Sequence, residues 1–135
     1  MHTFESFVEY FTDMKIPFTQ HKQTCYTPAT PPTQGELEYM SVRLGTQKRN
    51  SFTPSIALLD RIAPHTKRKA IVNEKAAWMF ICGNNILKEG IVENATQEGY
   101  VIITNEKGEV LGYGKNTGAG ITNELDRGDF LRRER

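Results

Sequence analysis

The sequence predicts an α+β fold in which a small N-terminal unit of helices and strands precedes a small β-barrel or sandwich. Three observations carry that expectation. Two short amphipathic helix signals occupy the first 64 residues. Short β-type runs separated by glycine turns fill most of the remainder, the pattern of a barrel or sandwich. The change of character falls at Pro64–Lys67, which places the domains at 1–66 and 67–135.

Thr3 is a helix N-cap, and Phe4, Phe7, Val8 and Phe11 follow as one apolar stripe. Glu5 and Glu9 lie toward the end where the helix dipole favours negative charge. Pro17 disfavours helical geometry at Ile16, so this helix is expected to stop near Met14. A short strand is possible around Gln23–Tyr26, within a polar stretch broken by Pro28, Pro31, Pro32 and Gly35. The run YMSVRL (39–44) reads as a strand ending before Gly45. Thr53 and Pro54 read as the N-cap and first position of a second helix through Ile56, Leu58, Leu59 and Ile62, closed by Pro64.

Strand-length runs follow at 69–73 (KAIVN), 99–105 (GYVIITN) and 110–114 (VLGYG). Glu106-Lys107-Gly108 reads as a hairpin turn with glycine where φ is positive. Between the first two runs lies an apolar segment, 76–94, punctuated by Gly83 and Gly90, in which Trp78 and Phe80 are expected in the core. Gly118-Ala119-Gly120 reads as a mobile turn, and Gly112-Tyr113-Gly114 as a strand whose glycines permit close packing.

Composition excludes several classes. At 38% hydrophobic and 24% charged, the 135 residues suit a globular chain rather than a disordered one. No run approaches a membrane span, and the N-terminus lacks the pattern of a secretory signal, so an intracellular protein is expected. Cys25 and Cys82 are too few for a disulfide framework or a zinc site, and His2, His21 and His65 form no ligand pair. There is no G-x-S-x-G, P-loop, dinucleotide fingerprint or H-E-x-x-H. Asp126 and Asp129, near Arg127 and Arg132, read as a surface ion-pair cluster. No catalytic residue, metal or cofactor is expected.

Net charge is only +1, but its distribution is uneven. Residues 1–40 balance to −3 and residues 71–135 to −2. Residues 41–70 hold Arg43, Lys48, Arg49, Arg61, Lys67, Arg68 and Lys69 against Asp60 alone, a balance of +6. Such an island attracts phosphates or serves as a solvated face. With amides such as Asn84 and Asn85 near glycine turns and aromatics such as Tyr113, it supplies the vocabulary of single-stranded RNA recognition.

The order KRKAIVN, AAWMFICGNNIL, Lys88-Glu89-Gly90-Ile91, GYVIITNEKGEVLGYG and LDRGDFLRR resembles the PUA domain over 67–135. Glu89 stands where many such domains have proline. Adding SVRLGT (41–46), FTPSIALLDRIAP (52–64) and GIVENATQ (90–97), the chain is similar to the Nip-seven family of large-subunit ribosome-assembly factors over about 39–135. The ending GDFLRR is similar to its archaeal members. The resemblance implies a small α/β pre-PUA domain, here shortened, followed by a PUA-type mixed β-barrel.

It also implies a non-catalytic RNA-binding assembly factor whose partners are pre-large-subunit rRNA and other assembly factors, with no membrane and no DNA. The implied location is cytoplasmic, or nuclear and nucleolar in a eukaryotic source. The family's RNA-contact segment corresponds here to KNTGAGITNELDRG, which offers Lys115 and Arg127, with Arg132 and Arg133 beyond. Charge adds Arg43, Lys48, Arg49, Lys67, Arg68 and Lys69 as candidate RNA-binding residues. The alternatives are a protein-interaction adaptor and an RNA-targeting subunit of an RNA-modifying enzyme.

Overall fold

The computed structural model describes residues 2–28, 42–94 and 98–129. The chain divides into two compact units, Met1–His65 and Thr66–Arg135.

In the first unit, α1 (Phe4–Phe11) starts at a reciprocal cap: Thr3 Oγ1 accepts from the Ser6 amide while Ser6 Oγ accepts from the Thr3 amide, both at 3.0 Å. The helix stops at Phe11, earlier than proline placement alone suggests. Thr12 is extended and its hydroxyl accepts the Met14 amide at 3.1 Å, which offers the backbone a turn in place of a further helical bond. Phe4, Phe7, Val8 and Phe11 are all buried, and Phe52 packs edge-on against Phe4 with centroids 5.4 Å apart.

Beside α1 lies a four-stranded antiparallel sheet in chain order: β1 (Thr19–His21), β2 (Thr24–Tyr26), β3 (Arg43–Lys48) and β4 (Ser51–Pro54). The strand expected before Gly45 in fact continues through it. A side chain there would strike the Phe52 ring and the Thr53 carbonyl, so glycine is what lets β3 and β4 pair closely. Residues 39–41 of that expected strand lie outside the described residues. The helix α2 (Ile56–Ile62) begins at Ser55, not Thr53. Pairing of β3 with β4 extends through Pro54, and the Ser55 amide still donates to Leu44 at 3.0 Å, so the chain turns helical two residues later than the Thr-Pro signal indicates.

The second unit is a six-stranded sheet: β5 (Lys69–Val72), β6 (Ile86–Leu87), β7 (Ile91–Asn94), β8 (Gly99–Thr104), β9 (Val110–Asn116) and β10 (Gly120–Asp126). Their spatial order is β6-β10-β9-β8-β5-β7. The two edge strands, β6 and β7, are joined in the chain only by the 3₁₀ turn Lys88–Gly90. Three residues reach about 10 Å at most, so the sheet has to roll until its edges nearly meet. The result is a nearly closed barrel-like sheet.

Its interior is filled by Ala70, Val72, Phe80, Ile86, Val101, Ile103, Leu111 and Ile121. The plug is α3 (Glu74–Ile81), capped by Asn73, whose Oδ1 accepts the Ala76 amide at 2.9 Å. Ala76, Ala77, Phe80 and Ile81 face the core. Trp78 does not: two residues before Phe80, helical rotation carries it to the opposite side, and it is 65% exposed. Neither β6 nor β10 was legible as a strand. Both are short or polar: β6 is held by β10 through Ile121↔Ile86, and β10 by β9 on its other side.

Roll-up demands that β10 approach β9 closely. A Cβ at Gly112 would land on the Leu125 carbonyl oxygen, and one at Gly114 on that of Thr122. The glycines expected to permit close packing do so, with Gly112 also at φ 154°. The turn between β8 and β9 holds Gly108 at φ 85°, with Asn105 Oδ1 accepting the Lys107 and Glu109 amides at 3.0 and 2.9 Å.

Gly114→Ala is therefore expected to destabilise the chain by roughly 1–3 kcal/mol through overpacking, read by urea or thermal unfolding. Gly108→Asn, where an added Cβ meets nothing, should cost no more than about 1 kcal/mol.

Candidate nucleic-acid interface

Strand alternation sorts the barrel's side chains. Ala70, Val101 and Ile103 point to the interior, so Lys69, Tyr100, Ile102, Tyr113 and Lys115 share the other face of β5, β8 and β9. Register sets Lys69 opposite Ile102, Ile102 opposite Tyr113, and Tyr100 opposite Lys115. Two strand spacings and one two-residue step put Lys69 and Lys115 roughly 12 Å apart. Lys115 Nζ lies 5.9 Å from the centre of the Tyr100 ring, and the Tyr100 and Tyr113 rings are 5.9 Å apart. Ile102 and Tyr113 on this face are buried, which leaves exposed Lys115 and, in part, Lys69 and the Tyr100 ring as groups suited to phosphate and base.

Lys67 is exposed just before the strand, and its carbonyl accepts the Lys69 amide at 3.0 Å. Arg68 is half-buried, and its carbonyl accepts the Ile102 amide at 2.9 Å, which locks the entry of β5 against β8. The three consecutive cations are thus held by the parallel strand pair. Arg127 is more committed to structure: its Nε donates to the Val110 carbonyl at 2.9 Å and its amide to that of Leu111 at 2.7 Å. Arg132 and Arg133 lie outside the described residues. Arg43, Lys48 and Arg49 belong to the first unit, the last two at the β3–β4 turn, and Arg43 at the far end of β3 with Nη1 donating to Thr46 Oγ1 at 3.1 Å. Within the first unit, these cations of the island are therefore split between the two ends of β3.

A second group surrounds the end of α3. Trp78 and Met79 are exposed on its outer side, and the chain then turns through Cys82–Asn85 into β6, which pairs with β10. Asn123 holds this turn in place. Its Nδ2 donates to the Phe80 carbonyl at 2.9 Å, the Asn84 carbonyl at 3.3 Å and Asp126 Oδ2 at 3.0 Å, while its amide donates to Asn85 Oδ1 at 2.9 Å. Asn84 Nδ2 donates to the Met79 carbonyl at 3.2 Å. Half of each expected base-reading amide is thus spent on the fold, leaving Asn84 Oδ1 and Asn85 Nδ2 for a ligand. Asp126, expected from the sequence at the surface, is not there. It is buried beneath this turn, where Asn123 reaches it.

Sequence reasoning missed the exposed Trp78 and the bracing Asn123. The helical phase of Phe80 relative to Ala76 and Ala77 was the available signal for the first. Nothing local marked the second, because its partners lie about forty residues away.

Burial pushes the Tyr113 phenol up to about 12, with Glu124 and Tyr100 adding smaller contributions. Burial likewise raises the Cys25 thiol, which sits in the core of the first unit. Among the described residues no group of three or more His, Cys, Asp and Glu could hold a metal. No helix among them is long and apolar enough to cross a membrane.

The model of the UPF0113 PUA domain matches residues 68–135. Over 102 residues the chain is 31% identical to the 60S ribosome subunit biogenesis protein NIP7 homolog of Tetraodon nigroviridis, covering 64% of this chain and 57% of that protein. The homolog from Xenopus tropicalis is 30% identical over 113 residues, 69% of this chain and 63% of its own length. The chain thus spans about 57% to 63% of these relatives. A solved structure, a conserved PUA domain protein from Thermoplasma acidophilum, matches with a TM-score of 0.57 at 18% identity, over 87% of this chain and 79% of that one. That likeness shows the fold.

The raised Tyr113 pKa fixes the sign of an alkaline effect. The folded state keeps the phenol proton up to about 12, whereas the unfolded chain releases it near 10. Stability is therefore lost as pH rises through that window, by on the order of 2 kcal/mol. In urea unfolding at pH 9 to 11.5, Tyr113→Phe is expected to flatten this decline relative to the parent.

Proposed function

The chain belongs to the UPF0113 PUA-domain family, and from that premise we propose that it is a non-catalytic RNA-binding factor in large ribosomal subunit biogenesis. The observation that carries the reading is its similarity to relatives that are themselves named for 60S ribosome subunit biogenesis. The barrel surface supports the RNA part. Lys67, Arg68 and Lys69 neutralise phosphates at the entry to β5, Lys115 extends that contact along the same sheet face, and Tyr100 offers a ring edge between them. Trp78, beside the remaining polar groups of Asn84 and Asn85, is a separate stacking platform on the outer side of α3. The partners in this reading are precursor rRNA of the large subunit and other assembly factors. Arg127, Arg132 and Arg133 complete the contact toward the C-terminus.

A second reading, a protein-interaction adaptor, is favoured by one observation: Trp78, Leu87 and Val92 are large apolar side chains more than half exposed on this unit. The two differ in salt dependence. If phosphates dominate, log affinity for a single-stranded rRNA fragment falls linearly with log salt. Replacing Lys67, Arg68 and Lys69 by Ala should then lower the slope by ~2, at about 0.7 per lost phosphate contact. An unchanged slope and affinity would remove these residues from the interface. Partner capture that survives nuclease, with no RNA binding at moderate salt, would select the adaptor.

A further inference from the structure

In the N-terminal unit, which lies outside the residues matched by the family model, three chain segments converge on one open cleft of about 560 Å³. They are the first turn of α1, the turn between β1 and β2, and the turn between β3 and β4. A cleft of this volume suits a ligand of one or two rings with attached groups. Its cations are Lys22, Lys48 and Arg49. Only Lys48 and Arg49 adjoin in sequence; Lys22 comes from the stretch whose balance is acidic. The β2–β3 pairing brings them together through Thr24↔Thr46 and through the Gln47 amide, which donates to the Gln23 carbonyl at 2.6 Å.

Gln47 fixes the geometry. Its Oε1 accepts the Phe4 amide at 3.2 Å, and its Nε2 donates to the carbonyls of His2 at 2.6 Å and Lys48 at 2.9 Å. One side chain thus ties the start of α1 to the β3–β4 turn. The three cations are all exposed, and no described carboxylate pairs with them. Among the described lining residues Glu5 is the single acid, so the charge they carry is net positive. Phe18 forms an apolar wall, backed by the Phe4 ring at a centroid distance of 4.1 Å. Lys22 also holds a left-handed backbone, φ 55°, that glycine would adopt more cheaply.

We infer that this cleft is a second RNA-contact site, which takes a short single-stranded segment: Lys22, Lys48 and Arg49 hold successive phosphates and Phe18 receives a base. An unpaired positive cleft with an aromatic wall matches the chemistry of a nucleotide unit. The cations sit on the tips of two turns around an open cleft, not in an enclosed pocket with a glycine-rich phosphate loop, and that favours a passing strand over a free mononucleotide. Glu5 repels phosphate from the helix side and can accept a hydrogen bond from a base amino group. The inference extends the RNA-binding reading to a second unit, and its test separates the two.

The test is fluorescence anisotropy of a labelled mixed-sequence RNA of about twelve nucleotides against the whole chain, over a range of salt. The variants are the triple Lys22→Gly/Lys48→Ala/Arg49→Ala, the barrel variant Lys67→Ala/Lys69→Ala, and a charge control, Lys15→Ala/Arg61→Ala. Lys22→Gly relieves the left-handed backbone, so a binding loss is not a folding loss; circular dichroism melts confirm this. The triple is expected to weaken binding by about tenfold or more and to lower the salt slope by ~2. It should do so equally in the barrel-variant background. Binding unchanged by the triple overturns the second site while leaving the barrel reading intact, and no RNA binding by the parent chain overturns both. An equal loss in the charge control reduces the effect to overall charge and overturns it. Competition by uridine or adenosine monophosphate at the oligonucleotide's own affinity makes the cleft a mononucleotide pocket and overturns the strand assignment.

Discussion

The structure of the second unit depends on one close approach, the backbone of β10 lying directly on the side-chain-free faces of Gly112 and Gly114 in β9. Without that approach β10 could not lie between β9 and β6, and the edges that Lys88–Gly90 must bridge would stand too far apart. Close backbone packing of this kind is strained by a single added methyl group. The remaining features follow from it. Ile121 reaches Ile86, α3 plugs the interior with Phe80, and Asn123 meets the turn at the end of the helix.

Closure also decides which groups are left for a partner. Because the interior takes Ala70, Val101 and Ile103, the alternation of β5 and β8 turns Lys69 and Tyr100 to the other face, and the β8–β9 register brings Lys115 to Tyr100. Because α3 turns Phe80 inward, Trp78 is turned outward. The polar groups that look most like ligand contacts in sequence do double duty: Asn85 accepts from Asn123, and Arg127 ties β10 to the start of β9. Substituting them perturbs the fold, whereas Lys67, Lys69 and Lys115 have no such structural side-chain bonds among the described residues.

Much of this was legible in the sequence. The stripe Phe4, Phe7, Val8, Phe11 marked α1, and short β-type runs bounded by turn residues marked β5, β8 and β9, because those signals are local. What was not legible depends on pairing partners. β10, with its run of Thr122, Asn123 and Glu124, has no apolar alternation of its own and becomes a strand because β9 and β6 flank it. The start of α2 moved to Ser55 because β4 kept its ladder through Pro54. The candidate site was half legible: the barrel cations were visible as a charge run, but Lys22 joins Lys48 and Arg49 only through the β2–β3 register, which no local pattern encodes.

The proposed grip on ribosomal RNA, through cations fixed by a rolled sheet, is best tested by crosslinking the whole protein to RNA in its own cells and sequencing what is bound. Enrichment of large-subunit rRNA and its precursors is expected, reduced when Lys67, Arg68 and Lys69 are replaced. Recovery of transfer RNA alone, or of no RNA above background, would contradict it.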